Sequence, residues 1–498
     1  MKNILKCLAF FLGVAVLVPL PVWAQRDDTQ PVRVVTGKYE PTWTSLKQYR
    51  TPDWYKNAKF GIFIHWGVYS VPAFANEWYP CRMYNKHKGT IYEHHLKTYG
   101  PPAKFGYKDF IPRFKAEKWD PRQWVELFKK AGARYVVPVG EHHDGFPMYD
   151  CSYTKWDAVE MGPRRDIVGE LAKEVRRAGL KLGVSSHRGK NWSYYTHSDE
   201  FDTNDPANAG LYGPPHPPKA PASEAFLKDW YARTVEIVDK YQPDLMWFDF
   251  GFNQPEFEPY RQRFGAYYYN KAIDWGRQVV INYKHDAFPE GTAVLDVERG
   301  RLDHLRELFW QTDTSVCWKS WGYIKDHQYK PVDVIVDELV DVVSKNGSLL
   351  LNIGPRPDGT IPEPQQQMLL RIGKWLDVNG EAIYGTRPFK VFGEGPTGIV
   401  AGHMKEKENK AYTAQDIRFT TKPGVLYVIA LAWPEKQLSV QSLRQGSDML
   451  NDDIADIKML GSDEPVTWSR DSESLKIQMP TAKPCDYAYV FKITLRPN

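Results

Sequence analysis

The chain has 498 residues, 42% hydrophobic and 14% aromatic, enough for one large domain and a smaller one. Its formal charge of +4 comes from 65 Lys+Arg against 61 Asp+Glu with no dense basic block, which excludes a nucleic-acid footprint. The 18 Trp and 29 Tyr suit stacking on sugar rings, although most rings of this kind serve a core.

Lys2 and Lys6 precede an apolar run from Leu8 to Val18, and Val22-Trp23-Ala24 ends in a small residue. Residues 1–24 therefore read as an export signal cut before Gln25, with an apolar stretch too short for a membrane span. The mature chain is expected to be exported, periplasmic or secreted, with no membrane attachment. Cys81, Cys151, Cys317 and Cys485 remain after cleavage, match no zinc spacing, and predict no essential bridge.

Along residues 31–388 short apolar strands alternate with helices. Phe60-Gly61-Ile62-Phe63-Ile64 reads as a buried strand from which His65-Trp66 emerge, followed by a loop carrying Asn76-Glu77-Trp78-Tyr79. An acid among aromatics in a loop is what a sugar-binding rim requires. A helix over residues 121–131 leads to a strand over residues 134–140 and then Glu141-His142-His143-Asp144. Neighbours on an extended segment point in opposite directions, so His142 and His143 cannot easily share a metal, and hydrogen bonding to substrate hydroxyls is their better use. A helix over 165–178 and a strand over 180–186 end in His187-Arg188. A helix over 223–241 leads into Leu245-Met246-Trp247-Phe248, after which Asp249, Phe250 and Gly251 follow at once.

Further on come a helix over 260–275, a strand over 278–282, and a short strand in Ala293-Val294-Leu295-Asp296-Val297-Glu298-Arg299-Gly300. Trp310-Gln311-Thr312-Asp313 and Ser320-Trp321-Gly322-Tyr323 add aromatic and polar groups. A helix over 332–344, a strand over 348–355 and a helix over 364–378 complete the region. This alternation predicts a (β/α)8-like TIM barrel, whose strand ends carry chemistry, and the absence of a glycine-rich nucleotide fingerprint counts against a dinucleotide fold. Asp249 falls at such an end, although Asp near Gly is also ordinary turn chemistry. Residues 389–498 change texture to short alternating strands, such as Val425 to Ala430 and Tyr487 to Ile493, which predict a C-terminal antiparallel β-sandwich. That domain is expected to brace the barrel, with sugar binding the alternative.

These residues together resemble the α-L-fucosidases of glycoside hydrolase family 29. The resemblance is carried by residues 59–67 with Glu77-Trp78, by 141–146 with Tyr149, by Trp156-Asp157, and by 244–251, 320–323 and 346–359. It implies a retaining exo-glycosidase that removes terminal α-linked L-fucose from a glycan, with no cofactor and no metal. The position of Asp249 is that of the family's nucleophile. Some members carry a Trp-Glu acid where this chain has Trp310-Gln311, and neutral Gln311 cannot shuttle a proton. The resemblance therefore moves the acid/base role to Glu298, with Glu77 the second candidate. It also implies that His65, His142 and His143 hold sugar hydroxyls and that Trp78 and Trp321 wall the sugar, with Trp192 and Arg299 as looser correspondences. Two alternatives remain open. One is action on α-L-galactosides, since an apolar pocket rejects an added hydroxyl poorly. The other is a degenerate carbohydrate-binding protein. Linkage preference and oligomeric state have no readable code.

Overall fold

Eight parallel strands close into a barrel in the computed structural model, which describes residues 37–496; the segment 1–24 read as an export signal lies outside them. They are β1 (Phe60–Ile64), β2 (Tyr135–Glu141), β3 (Lys181–Ser186), β4 (Leu245–Phe248), β5 (Val280–Lys284), β6 (Val294–Asp296), β7 (Trp310–Ser315) and β8 (Gly347–Ile353), each paired with the next and β8 with β1. The strands are buried on almost every residue because side chains fill the barrel on one face and helices cover the other. The helix Pro121–Lys130 shows how locally this is encoded. Asp120 caps it by accepting from the backbone N–H groups of Arg122 and Gln123, Pro121 fills the first turn, and Trp124, Val125 and Phe128 face the core.

Strand β7 departs from the sequence expectation. Trp-Gln-Thr-Asp-Thr-Ser has no apolar run, yet all six residues are buried. Its polar side chains face polar partners inside the barrel. Gln311 accepts from the hydroxyls of Tyr55 at 2.6 Å and Tyr135 at 2.7 Å, and it donates to Asp296. Hydrogen bonding satisfies what hydrophobicity does not, so a hydropathy pattern passes over this strand.

The C-terminal part is a sandwich of two antiparallel sheets. One has strand order β13-β16-β11-β10-β9, with β9 (Arg387–Glu394), β10 (Ile417–Lys422), β11 (Val425–Ala430), β13 (Asp453–Met459) and β16 (Tyr489–Arg496). The other has order β12-β15-β14, with β12 (Gln437–Val440), β14 (Trp468–Arg470) and β15 (Leu475–Gln478). Inward residues such as Phe419, Val428, Leu438, Ile477 and Phe491 form its core. The sandwich packs on the barrel helices Val332–Ser344 and Glu363–Asn379. Asp341 of the first pairs with Lys345 at 2.8 Å and with Arg418 of β10 at 2.6 Å, all three at most 3% exposed. Trp375 of the second donates its indole N–H to the carbonyl of Ala488 at 2.8 Å.

Candidate active site

The carboxyl ends of the strands surround one cavity. His65 follows β1, His142 and His143 follow β2, His187 follows β3 and Asp249 follows β4. Lys284 ends β5, Glu298 lies two residues past β6, and Asp313 sits on β7. Glu77 and Trp78 arrive on the loop after β1, and Trp321 on the loop after β7, with Trp247 and Phe250 completing the lining. Gly251 has a φ of 100°, and a side chain there would press on Lys190 at 2.8 Å, so glycine lets the chain turn away directly behind Asp249.

Asp249 is held from three sides. Its Oδ2 lies 2.9 Å from His143 Nε2 and 3.2 Å from His187 Nδ1, and its Oδ1 lies 2.9 Å from Lys284 Nζ. Burial alone would raise its pKa, but Lys284 and the hydrogen bonds from the two histidines hold it well below the usual carboxylate range. The same Lys284 Nζ lies 2.8 Å from Glu298 Oε2. The two carboxylate oxygens on that ammonium are therefore separated by at most the sum of 2.9 and 2.8 Å, about 5.7 Å. Burial would lower Lys284, yet Asp249, Asp313 and Glu298 reverse this and keep it well above the ordinary lysine value. Asp313 behaves oppositely to Asp249. Burial and the adjacent Asp296 push its carboxyl well above the usual range.

The histidines are oriented by hydrogen bonds. Asn352 donates from Nδ2 to Ser315 Oγ and to the Trp321 carbonyl, which turns its Oδ1 toward His65 Nδ1 at 2.7 Å. His65 must then donate from Nδ1 and keep Nε2 as an acceptor. Burial, then the neighbouring His187, hold His65 well below the usual histidine value. His187 donates from Nδ1 to Asp249 and accepts from Ser185 Oγ at 3.0 Å, and burial holds it down at about 4. His143 places Nδ1 on the His187 carbonyl at 2.9 Å. His142 Nδ1 has no hydrogen-bond partner among the described residues, as a group reserved for a ligand hydroxyl would.

Glu77 is 5% exposed, and its Oε2 accepts from Ser320 Oγ at 3.0 Å and from the Trp321 N–H at 2.9 Å. Two trios in the cavity bring potential metal donors within 4.8 Å of one another: His65, His142 and His187, and His143, His187 and Asp249. His187 belongs to both, and both its ring nitrogens are already engaged by Ser185 and Asp249.

Most of the residues expected from sequence converge here, with two exceptions and one correction. Trp192 does not reach the cavity. It stacks on His216 at 4.0 Å in a separate cleft between the loops after β3 and β4, and its indole N–H goes to the Ala220 carbonyl. Arg299 stands behind the wall, its guanidinium 4.5 Å from the centre of the Trp321 ring. His142 and His143 both line the cavity, contrary to the alternation expected of a strand. The chain has left β2 at that point and turns, with the Gly145 N–H on the His142 carbonyl. Their side chains belong to different donor trios.

The family model for α-L-fucosidase matches residues 29–381, and that for the α-L-fucosidase C-terminal domain matches residues 409–494. The chain belongs to the α-L-fucosidase family. It is 31% identical to the human tissue α-L-fucosidase over 98% of this chain and 96% of that protein, and 32% identical to the human plasma enzyme over 92% of each. The crystal structure of the Thermotoga maritima α-fucosidase in complex with fucose superposes with a TM-score of 0.74 at 33% identity, covering 92% of this chain and all of that one. The protein is thus a fucosidase of glycoside hydrolase family 29, and the family's substrates are fucosylated glycans.

Within this fucosidase, sequence reasoning passed over Lys284, Asp313 and Trp247. Lys284 escaped because β5 runs two residues further than its apolar pattern, and Asp313 because it lies on the polar β7. Trp247 was read only as one residue of a buried strand; its indole N–H goes to Asp296 Oδ2 at 3.1 Å and Lys284 Nζ lies 4.7 Å from its ring centre. No simple signal in the chain marks these three, although the acids at 296, 298 and 313 recur at strand ends.

Proposed function

We propose that this fucosidase removes terminal α-linked L-fucose with retention, by double displacement, Asp249 acting as nucleophile and Glu298 as acid/base. The observation that carries this reading is the shared Lys284 ammonium. Oxygens at most about 5.7 Å apart fall short of the roughly 6.5–9.5 Å that an inverting enzyme needs for its water and are compatible with the roughly 5–5.5 Å of retaining glycosidases. Asp249, kept ionised, attacks the anomeric carbon while the Glu298 carboxylic acid protonates the departing oxygen. In the second step the Glu298 carboxylate takes a proton from water, which releases fucose from the Asp249 ester.

His65 and His142 take the sugar hydroxyls, while His143, with both ring nitrogens on Asp249 and the His187 carbonyl, holds the nucleophile in place. Trp78, Trp247, Phe250 and Trp321 give the apolar wall that a methyl group requires. Glu77, tied to Ser320 and the Trp321 N–H, serves as a fixed acceptor at the rim. The enzyme works after export, as the pattern of residues 1–24 implies.

Hydrolysis of an aryl α-L-fucoside by the wild type, Asp249→Ala, Glu298→Ala and Glu77→Ala, with and without azide, tests the assignment. Azide is expected to rescue Glu298→Ala alone and to yield fucosyl azide of α configuration, since the anion attacks the glycosyl-enzyme from the vacated side. Rescue of Glu77→Ala instead exchanges the two roles. First-formed β-fucose from the wild type, seen by NMR before mutarotation, would falsify double displacement.

A further inference from the structure

The barrel holds the neighbours of Glu298, with the Val297 and Arg299 N–H groups on the Gln311 and Asp313 carbonyls of β7 at 2.8 Å each, but not the N–H and carbonyl of Glu298 itself. Strand β6 is only three residues long and pairs with β7 through Asp296 and Gln311. Beyond it, both backbone groups of Glu298 end on a loop of the C-terminal sandwich, residues 395–416 between β9 and β10. The Glu298 N–H donates to His403 Nδ1 at 3.0 Å, and its carbonyl accepts from the Met404 N–H at 2.7 Å. The contact continues on either side, with Glu406 N–H on the Arg299 carbonyl at 2.8 Å and Gly402 N–H on the Arg301 carbonyl at 2.9 Å. The approach is so close that a Cβ at Gly300 would stand 1.9 Å from the Gly402 carbonyl oxygen.

The side chains repeat this pattern. Arg299 adopts a φ of 42°, uncommon for a residue with a side chain, and Glu406 Oε1 takes its guanidinium at 2.6 Å. That guanidinium lies over Trp321, one wall of the cavity. The other oxygen of Glu406 accepts from Thr314 Oγ1 at 2.6 Å and Lys330 Nζ at 2.5 Å. The loop itself is a closed unit. The Asp416 carboxylate gathers the N–H and hydroxyl groups of Thr397 and Thr413 at its neck, and Asn409 joins Val400 to Lys405.

We propose that this loop is a positioning element of the active site: His403 sets the backbone of Glu298, and Glu406 sets Arg299 against Trp321. The sandwich then completes the catalytic centre and does more than brace the barrel. The inference deepens the proposed function and rests on Glu298 being the acid/base.

The test compares kcat/KM, which reports the first step, for methyl α-L-fucoside and 2,4-dinitrophenyl α-L-fucoside. The dinitrophenolate leaves without a proton, so only the methyl substrate registers where the acid stands. His403→Leu is expected to lower kcat/KM for the methyl substrate by about ten- to hundredfold more than for the aryl one, the scale of an ångström's misplacement. His403→Asn, whose Oδ1 can stand where Nδ1 stood, is expected to restore most of this. Glu406→Gln should raise KM severalfold for both substrates alike. Trp375→Phe, which breaks the Ala488 hydrogen bond elsewhere in the same interface, should lower the thermal midpoint and leave the ratio of the two substrates unchanged.

If His403→Leu and Trp375→Phe both leave that ratio at the wild-type value, the loop only braces and the inference is wrong. Glu298→Ala separates the two levels of the argument. Should it fail to show the leaving-group dependence, the acid/base assignment falls; should it show the dependence while His403→Leu does not, only the role of the loop falls.

Discussion

Two clusters of buried charge in this molecule are built from the same kinds of group and end differently. Between barrel and sandwich, Asp341 sits between Lys345 and Arg418, and the pairing is closed on all sides. At the mouth of the barrel, Lys284 sits among Asp249, Glu298 and Asp313, but the cluster borders a cavity and a histidine nitrogen there has no partner among the described residues. Burial makes an unpaired charge costly in both places. The interface meets that cost with protein groups and so specifies how two domains dock. The pocket leaves part of its polar surface unmatched, and a sugar is what can match it.

Breaking the pocket cluster should produce the largest effect. Asp249→Ala is expected to lower kcat by about five orders of magnitude, the scale on which removal of a nucleophile acts, in a steady-state assay with an aryl fucoside. Breaking the closed cluster should act on folding instead. Asp341→Ala leaves two cations buried without their carboxylate and is expected to cost about 3–5 kcal/mol in denaturant unfolding, while kcat per folded molecule stays within about threefold. An intermediate effect is expected at Gln311→Glu, which restores the Trp-Glu pair of other family members. Here that carboxyl would lie inside the barrel against Asp296, so the variant should lose about 1–3 kcal/mol of stability and should not rescue Glu298→Ala.

The smallest effect is one of pH. Burial would raise Asp341, but Lys345 and Arg418 hold its folded pKa well below the ordinary carboxylate value. Its contribution to stability is therefore complete above the unfolded value of about 3.9 and is lost as pH falls through the folded one. The stability difference between wild type and Asp341→Asn should accordingly narrow below about pH 4, measured by thermal midpoints across an acid series. A constant difference down to pH 2 would mean that the interface does not depend on that charge.

Much of the barrel was legible because its strands are apolar runs, and the helix Val332–Ser344 matches its periodicity at both ends. Strand β7 was not legible, since Gln311, Thr312 and Asp313 are buried by hydrogen bonding and not by hydrophobicity. At the site, Asp249 and Glu298 stand out as acids at the ends of short apolar strands, while Lys284 looks like the residue after a strand. Trp192 shows the converse, an aromatic in a promising loop whose ring is spent on His216 and Ala220.

The sequence by itself determined the alternation of elements, the change to a β texture near residue 388 and the family to which the chain belongs, because periodicity and local motifs are properties of neighbours along the chain. Only the tertiary structure decided that Lys284 joins Asp249 to Glu298, that position 311 lies inside the barrel, and that the backbone of Glu298 rests on His403, 105 residues away along the chain. Those are contacts across space between groups whose pairing depends on where the barrel closes and the sandwich docks. No local pattern encodes such distances, and they set the charge and the placement on which the chemistry depends.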